Sequence, residues 1–126
     1  MKAKSAKILL VEDDHFILSM YSAKFVSEGF SVRGAMTAAE ALEEAKAFKP
    51  DIILLDIMLP DEDGFAVLKA LKRGKTTAAI PVVLLSNLSD PSHREQGLIG
   101  GAEDYWIKAY LDPSEVVAKT KQLLKA

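Results

Sequence analysis

The chain has 126 residues, 49% of them hydrophobic and 27% charged, which suits one domain with a real core, is too short for two, and argues against disorder. Sixteen Lys and Arg against eighteen Asp and Glu leave a net charge of −2, so nothing draws the chain as a whole to nucleic acid or to anionic lipid. The absence of cysteine removes disulfides, thiol catalysis and thiolate metal sites, and no apolar run approaches the roughly 18 residues of a membrane span.

The Lys-rich N-terminus lacks the apolar segment of a signal peptide and reads as a short solvated tail, which makes the cytoplasm the expected compartment. Ile8-Leu9-Leu10-Val11 is an aliphatic run of the kind a strand buried on both faces requires, and it ends in acid, Glu12-Asp13-Asp14. From Phe16 the spacing turns helical, with Ile17, Met20, Tyr21 and Phe25 on one stripe and Gly29 closing the helix. Phe30 to Arg33 predicts a short strand. Thr37 begins a helix whose Glu40 completes a capping box, with Ala38, Ala41, Leu42, Ala45 and Phe48 as a narrow apolar stripe. Pro50 opens the strand Ile52-Ile53-Leu54-Leu55, which stops at a lone carboxylate, Asp56, before Pro60 and Gly64 turn the chain away.

Val67, Leu68 and Leu71 mark a third helix ended near Gly74, and Pro81 to Leu85 predicts a fourth strand that ends in the hydroxyl of Ser86. Asp90-Pro91 starts a helix with only Leu98 and Ile99 to bury, expected to be the least firmly packed. Tyr105-Trp106-Ile107 is a short strand ending in Lys108. Asp112-Pro113-Ser114-Glu115 caps a last helix that turns Val116, Val117, Thr120, Leu123 and Leu124 inward.

Five strands alternating with five helices predict an α/β fold, a doubly wound parallel sheet with right-handed crossovers and helices on both faces. Parallel strands bring their carboxyl ends to one rim, so Glu12 and Asp13, Asp56, Ser86 and Lys108 can converge there. Carboxylates that close repel one another and call for a cation among them. Lys108 supplies one, and Mg2+, a hard ion that takes oxygen ligands and keeps exchangeable waters, is the natural second. Such a set equips Asp56 to attack a phosphoryl group in line, with Ser86 hydrogen-bonding a phosphoryl oxygen and Lys108 neutralising charge. Taken alone, Asp56 would serve equally as a turn cap and Lys108 as a solvated rim lysine; the ordered set of five disfavours both readings.

An acidic pair after the first strand, an aspartate after the third, a hydroxyl after the fourth and a lysine after the fifth: in this the chain resembles the receiver domain of bacterial two-component response regulators. The resemblance covers essentially the whole chain, read as one receiver domain over residues 1–126. It implies a flavodoxin-like fold with strand order 2-1-3-4-5, and phosphorylation of Asp56 by a histidine kinase or phosphotransfer protein, or by a small phosphodonor. It further implies direct Mg2+ ligation by Asp13, Asp56 and the backbone carbonyl of Met58, with Glu12 acting through metal-bound water and Asp14 left as the cap of the first helix. Tyr105 would turn inward as Ser86 moves toward the phosphoryl group, although a half-buried aromatic in an edge strand can also serve packing alone. No enzyme activity is implied beyond self-phosphorylation and autodephosphorylation. Signalling would run through a downstream protein or an output domain, with no direct nucleic-acid or membrane contact, and the phosphorylated form could dimerise through the fourth helix, fifth strand and fifth helix.

Ala109 departs from the family pattern, which places a proline there after a cis bond. A cis bond before alanine costs about 2.5–4 kcal/mol, so Lys108-Ala109 is expected to be trans. Met58 and Leu88 flank the path of hydrolytic water and are apolar, which predicts a long-lived phosphoryl group. His15 and His93 read as surface histidines, Trp106 as core or interface, and Lys69, Lys72, Arg73 and Lys75 as a solvated helix end. Two other function classes fit the sequence less well. A receiver-like binding module that is never phosphorylated is disfavoured by the intact set of five. An aspartyl-phosphate hydrolase needs a further acid close to the nucleophile, where Ile57-Met58 stand.

Overall fold

The computed structural model describes residues 6–88 and 90–125, so the N-terminal tail read from the sequence lies outside the described residues. In chain order the elements are β1 (Lys7–Val11), α1 (His15–Ser27), β2 (Ser31–Ala35), α2 (Ala38–Phe48), β3 (Ile52–Leu55), α3 (Gly64–Arg73), β4 (Val82–Ser86), α4 (Pro91–Ile99), β5 (Asp104–Ile107), a 3-10 turn (Lys108–Tyr110) and α5 (Pro113–Lys125). All strands pair in parallel, in the order β2-β1-β3-β4-β5. No helix among the described residues is long and apolar enough to cross a membrane.

Period-two alternation sorts the aliphatic runs onto two faces. Ile8, Leu10, Ile52, Leu54, Val83 and Leu85 pack with Tyr21 and Phe25 of α1 and Val116 and Val117 of α5. Leu9, Val11, Ile53, Leu55, Val82 and Leu84 pack with the alanines of α2 and with Val67, Leu68 and Leu71 of α3. Every residue of β3 and β4 is buried, as strands covered on both faces must be.

Several element details differ from the sequence expectation, each for a local reason. The second strand runs Ser31–Ala35 because its ladder follows β1, Lys7 facing Ser31 and Val11 facing Ala35. Pro50 and Pro81 precede their strands, which begin at Ile52 and Val82; proline has no amide to give a ladder. Met20 is 47% exposed, and Leu18 takes the inner position beside Tyr21 and Phe25. On α4 the burial is the reverse of that expected: Gly97 is the one fully buried residue, while Leu98 and Ile99 are 40% and 80% exposed. A Cβ at Gly97 would run into Leu84 Cδ1, so the helix backbone sits directly on β4 and its two aliphatic residues turn outward.

Caps fix where the helices begin. Asp14 accepts from the amides of Phe16 and Ile17 at 2.9 and 3.1 Å, as expected. At α2, Thr37 Oγ1 accepts from Glu40 N, but Glu40 Oε1 accepts from Met36 N and not from the cap itself. The closed capping box is at α5, where Glu115 N donates to Asp112 Oδ1 and Asp112 N donates to Glu115 Oε1.

Candidate functional site

The register of the ladders decides which side chains meet. Glu12 N donates to Ala35 O at 2.9 Å and Asp56 N donates to Val11 O at 3.0 Å, so β1 and β3 end level, with their acidic residues just past the last apolar pair, Val11 and Leu55. Glu12 and Asp56 are each 6% exposed, whereas Asp13 faces solvent. Ligand oxygens of all three carboxylates lie within 4.8 Å of one another. Lys108 enters from the end of β5, its Nζ donating to Asp56 Oδ2 at 2.9 Å and also to Glu12 Oε1. Ser86 completes the rim at 0% exposure.

These are the groups the sequence singles out. Two of them share a local device: Asp56 Oδ1 accepts from Met58 N, and Ser86 Oγ accepts from Leu88 N, each at 3.2 Å and each two residues on. Such side-chain-to-backbone turns hold a functional group at the strand end while the chain bends away.

Electrostatics follow from burial and pairing. Burial pushes the Glu12 carboxyl above its usual range, against the pull of Lys108 and of the Asp14 amide. Burial alone would lower Lys108, but its bonds to Asp56 and Glu12 outweigh that and hold the ammonium above the usual lysine value. Among the described residues the rim therefore carries three carboxylates against one ammonium. Oxygen-only donors at this spacing, with charge left uncompensated, fit a hard divalent cation such as Mg2+.

Around this centre the structure adds residues that the sequence does not reveal. Gly64 opens α3 so close to β3 that an added Cβ would sit 2.5 Å from the Asp56 carbonyl oxygen and 2.6 Å from Ile57 Cα. Only glycine permits that approach. Asp61, in the loop after Asp56, accepts from Ala38 N and Ala39 N at 2.7 and 3.1 Å and so straps the loop to the start of α2; these amides hold its carboxyl below the usual range. No sequence pattern announces a cap contributed by a loop more than twenty residues away. Arg94 of α4 donates to Tyr105 O at 3.0 Å and stands 3.3 Å from Asp104.

Tyr105 points inward at 4% exposure, and its hydroxyl donates to Leu88 O, joining β5 to the loop that follows Ser86. Burial pushes its phenol up. The Lys108-Ala109 bond is trans, since the described residues hold no cis peptide. Trp106 is core, 4% exposed, its Nε1 donating to Asp104 Oδ2. Lys72 is no free surface charge: its ammonium donates to Ala78 O and Ile80 O and closes the turn before β4. His15 is exposed, edge-on to Phe16. His93 corrects the surface reading, for it is half-buried and stacked on Phe65 of α3 at 6.3 Å, and its Nδ1 is buried without a partner among the described residues.

Against known proteins, residues 8–121 match the family model described as the response regulator receiver domain. The chain is 36% identical over 119 residues to the DNA-binding dual master transcriptional regulator RpaA of Synechocystis, covering 94% of this chain and 49% of that protein. It is 40% identical over 121 residues to the response regulator PleD of Caulobacter vibrioides, covering 96% of this chain and 26% of that protein. The chain thus spans about half the length of the one and about a quarter of the other. Among solved structures, the BeF3-activated N-terminal receiver domain of Klebsiella pneumoniae RstA superposes with a TM-score of 0.87 at 31% identity, over 95% of this chain and 99% of that one.

Proposed function

This chain belongs to the response regulator receiver domain family of two-component signalling, and from that membership we propose that it is a Mg2+-dependent switch whose Asp56 takes a phosphoryl group from a histidine kinase or phosphotransfer protein. The observation that carries the reading is the placement of the Asp56 carboxylate, 6% exposed, between Lys108 at 2.9 Å and the other two carboxylates.

In the proposed reaction an Asp56 oxygen attacks phosphorus in line; the new O–P bond forms as the bond to the donor's histidine nitrogen, or to the acetyl oxygen of a small donor, breaks. Lys108 turns one proton toward the transferring oxygens and neutralises their charge. Ser86 donates its hydroxyl proton to a phosphoryl oxygen. Asp13, Asp56 and the Met58 carbonyl would hold Mg2+, with Glu12 acting through its water, and the ion would supply charge neutralisation between carboxylate and phosphoryl group. Tyr105 then reports the change, because its hydroxyl already grips the carbonyl of Leu88, two residues after Ser86. A phosphoryl group adds about −1.5 to −2 charges. Two or three new charge-assisted bonds at about 1.5–3 kcal/mol each approach the roughly 5.5 kcal/mol that moves a two-state equilibrium from 1:99 to 99:1.

On this reading residues 1–126 act as one receiver domain in the cytoplasm. Output passes by protein contact, to a downstream partner, to an output domain, or between two phosphorylated copies across α4, β5 and α5, with no direct contact to nucleic acid or membrane. The exposed Leu98, Ile99 and Tyr110 on that side support the contact surface.

Intact mass after incubation with Mg2+ and acetyl phosphate tests the reading. One added phosphoryl group, absent in Asp56→Asn, is expected. No addition would favour a binding module of the same fold, and turnover of external phosphoesters a hydrolase.

The lifetime of the phosphoryl group follows from Met58, whose side chain is 61% exposed beside Asp56, while Leu88 is half-buried against the core. Met58→Asn, which can hold a water near phosphorus, will speed dephosphorylation severalfold, read as loss of the phosphorylated mass over time. An unchanged rate would remove Met58 as a shield.

A further inference from the structure

The loop that leaves Asp56 is a closed hairpin. Met58 and Asp63 form an antiparallel bridge, and Gly64 N donates to Ile57 O just outside it. The base is anchored on both sides, by Met58 N donating to Asp56 Oδ1 and by Asp63 Oδ1 accepting from Ala66 N of α3. The Met58 side chain is 61% exposed, so packing does little to hold its peptide, and the position of that carbonyl depends on how the hairpin itself is tied down. Asp61 stands in the turn. Among the described residues its two bonds to α2 are the hydrogen bonds that join this tip to another element.

The start of α2 is built to receive them. A helix begins with amides that have no acceptor within it, here those of Ala38, Ala39 and Glu40. Thr37 Oγ1 takes the amide of Glu40, and Asp61 takes the other two, one on each carboxylate oxygen. The helices α1, α3 and α4 are instead capped by the residue directly before them, Asp14, Asp63 and Asp90. Free amides and the helix dipole both favour an anion at this end. The post is firm as well, for Ala38, Ala41 and Ala45 of α2 are buried in the core.

We propose that Asp61 is a positioning residue for the Mg2+ site: by tying the tip of the hairpin to α2 it holds in place the peptide that carries the Met58 carbonyl. The proposal rests on the reading of that carbonyl as a metal ligand, and part of its test needs no metal.

Asp61→Ala removes both acceptors, whereas Thr37→Ala removes the other cap of the same helical turn and leaves the loop alone. Both are expected to lower Tm. In titration calorimetry only Asp61→Ala is expected to lose Mg2+ affinity, by about threefold to tenfold, at or below the lower end for disturbing the support of a metal ligand. Asp61→Asn has lost the same charge but keeps one acceptor oxygen, so it should recover part of that affinity. In Mg2+-free protein the amides of Met58 and Gly64 should exchange with solvent severalfold faster in Asp61→Ala and at the wild-type rate in Thr37→Ala. Wild-type affinity in Asp61→Ala would overturn the proposal. So would an equal loss in Thr37→Ala, which would mark general destabilisation, or equal affinities in Asp61→Ala and Asp61→Asn, which would mark charge alone. If the wild-type protein binds no Mg2+, the metal reading falls by itself, and amide exchange still decides whether Asp61 holds the Met58 peptide: unchanged exchange in Asp61→Ala means that it does not.

Discussion

Lys108→Ala will accept a phosphoryl group from acetyl phosphate about 100-fold more slowly than the wild type, the scale for loss of one preorganised charge-stabilising donor, and yet will bind Mg2+ more tightly. The two effects have one cause. Lys108 is the only ammonium bonded to Glu12 and Asp56 among the described residues, and the side chains of all three are 10% exposed or less. Without it the transferring oxygens lose their neutralising partner. The three carboxylates then lack a resident cation, so a divalent ion no longer competes with one.

Stability moves with charge in the same variant. In Mg2+-free buffer at neutral pH it should lose about 2–3 kcal/mol, below the range for a fully enclosed broken ion pair because Asp13 beside it is open to water. The sign with pH is fixed by Glu12, whose carboxyl burial already raises. An acid raised in the folded state binds its proton more tightly there than in the unfolded chain, where the value is about 4.3. The deficit therefore appears as pH rises through the folded value and shrinks as pH falls back through it. In Lys108→Ala that value rises further, because the bonds that pulled it down are gone, and the window widens upward. Titration calorimetry with Mg2+ and urea unfolding at several pH values measure both effects. Mg2+ affinity that weakens in the variant would contradict the charge argument.

The second large effect belongs to Gly64. A Cβ there meets the carbonyl oxygen of Asp56 at 2.5 Å and Ile57 Cα at 2.6 Å, which are backbone atoms with no rotamer to yield, while Gly64 N donates to Ile57 O at 2.6 Å. Gly64→Ala can be accommodated only by pushing α3 and the loop from Ile57 onward away from β3. Overpacking of this kind costs about 1–3 kcal/mol. The same displacement moves the loop that carries Met58, so Mg2+ affinity should fall about tenfold, the lower end for disturbing the support of a metal ligand. Gly97→Ala makes an instructive contrast, because its clash is with Leu84 Cδ1, the tip of a side chain that can turn. Gly97→Ala should cost stability and leave Mg2+ affinity alone. Equal loss of Mg2+ affinity in both variants would mean that Gly64 acts through general destabilisation and not through the loop.

The residues that end strands were legible in the sequence because a charge or hydroxyl directly after a run of buried aliphatic residues is itself the signal. Asp56 after Ile52 to Leu55 and Ser86 after Val82 to Leu85 are the clearest cases, and parallel register carries them to one rim without further information. The faces of helices were less legible. Periodicity assigns α4 its aliphatic pair Leu98 and Ile99, yet a helix that buries glycine against a strand gains closeness where a side chain would bar it, and the aliphatic residues are left outside. Long-range polar contacts were not legible at all. Asp61 capping α2, Lys72 closing the turn before β4 and Arg94 reaching Tyr105 depend on which loops come to lie together, and no local pattern marks their partners.

Reductive trapping decides whether Asp56 itself carries the phosphoryl group. Protein phosphorylated with acetyl phosphate and Mg2+ is treated with labelled borohydride, which reduces an acyl phosphate to the alcohol, and the labelled peptide is sequenced. Label is expected at position 56 alone. Label at Asp13 or Asp14, or phosphorylated protein that yields no label, would contradict it.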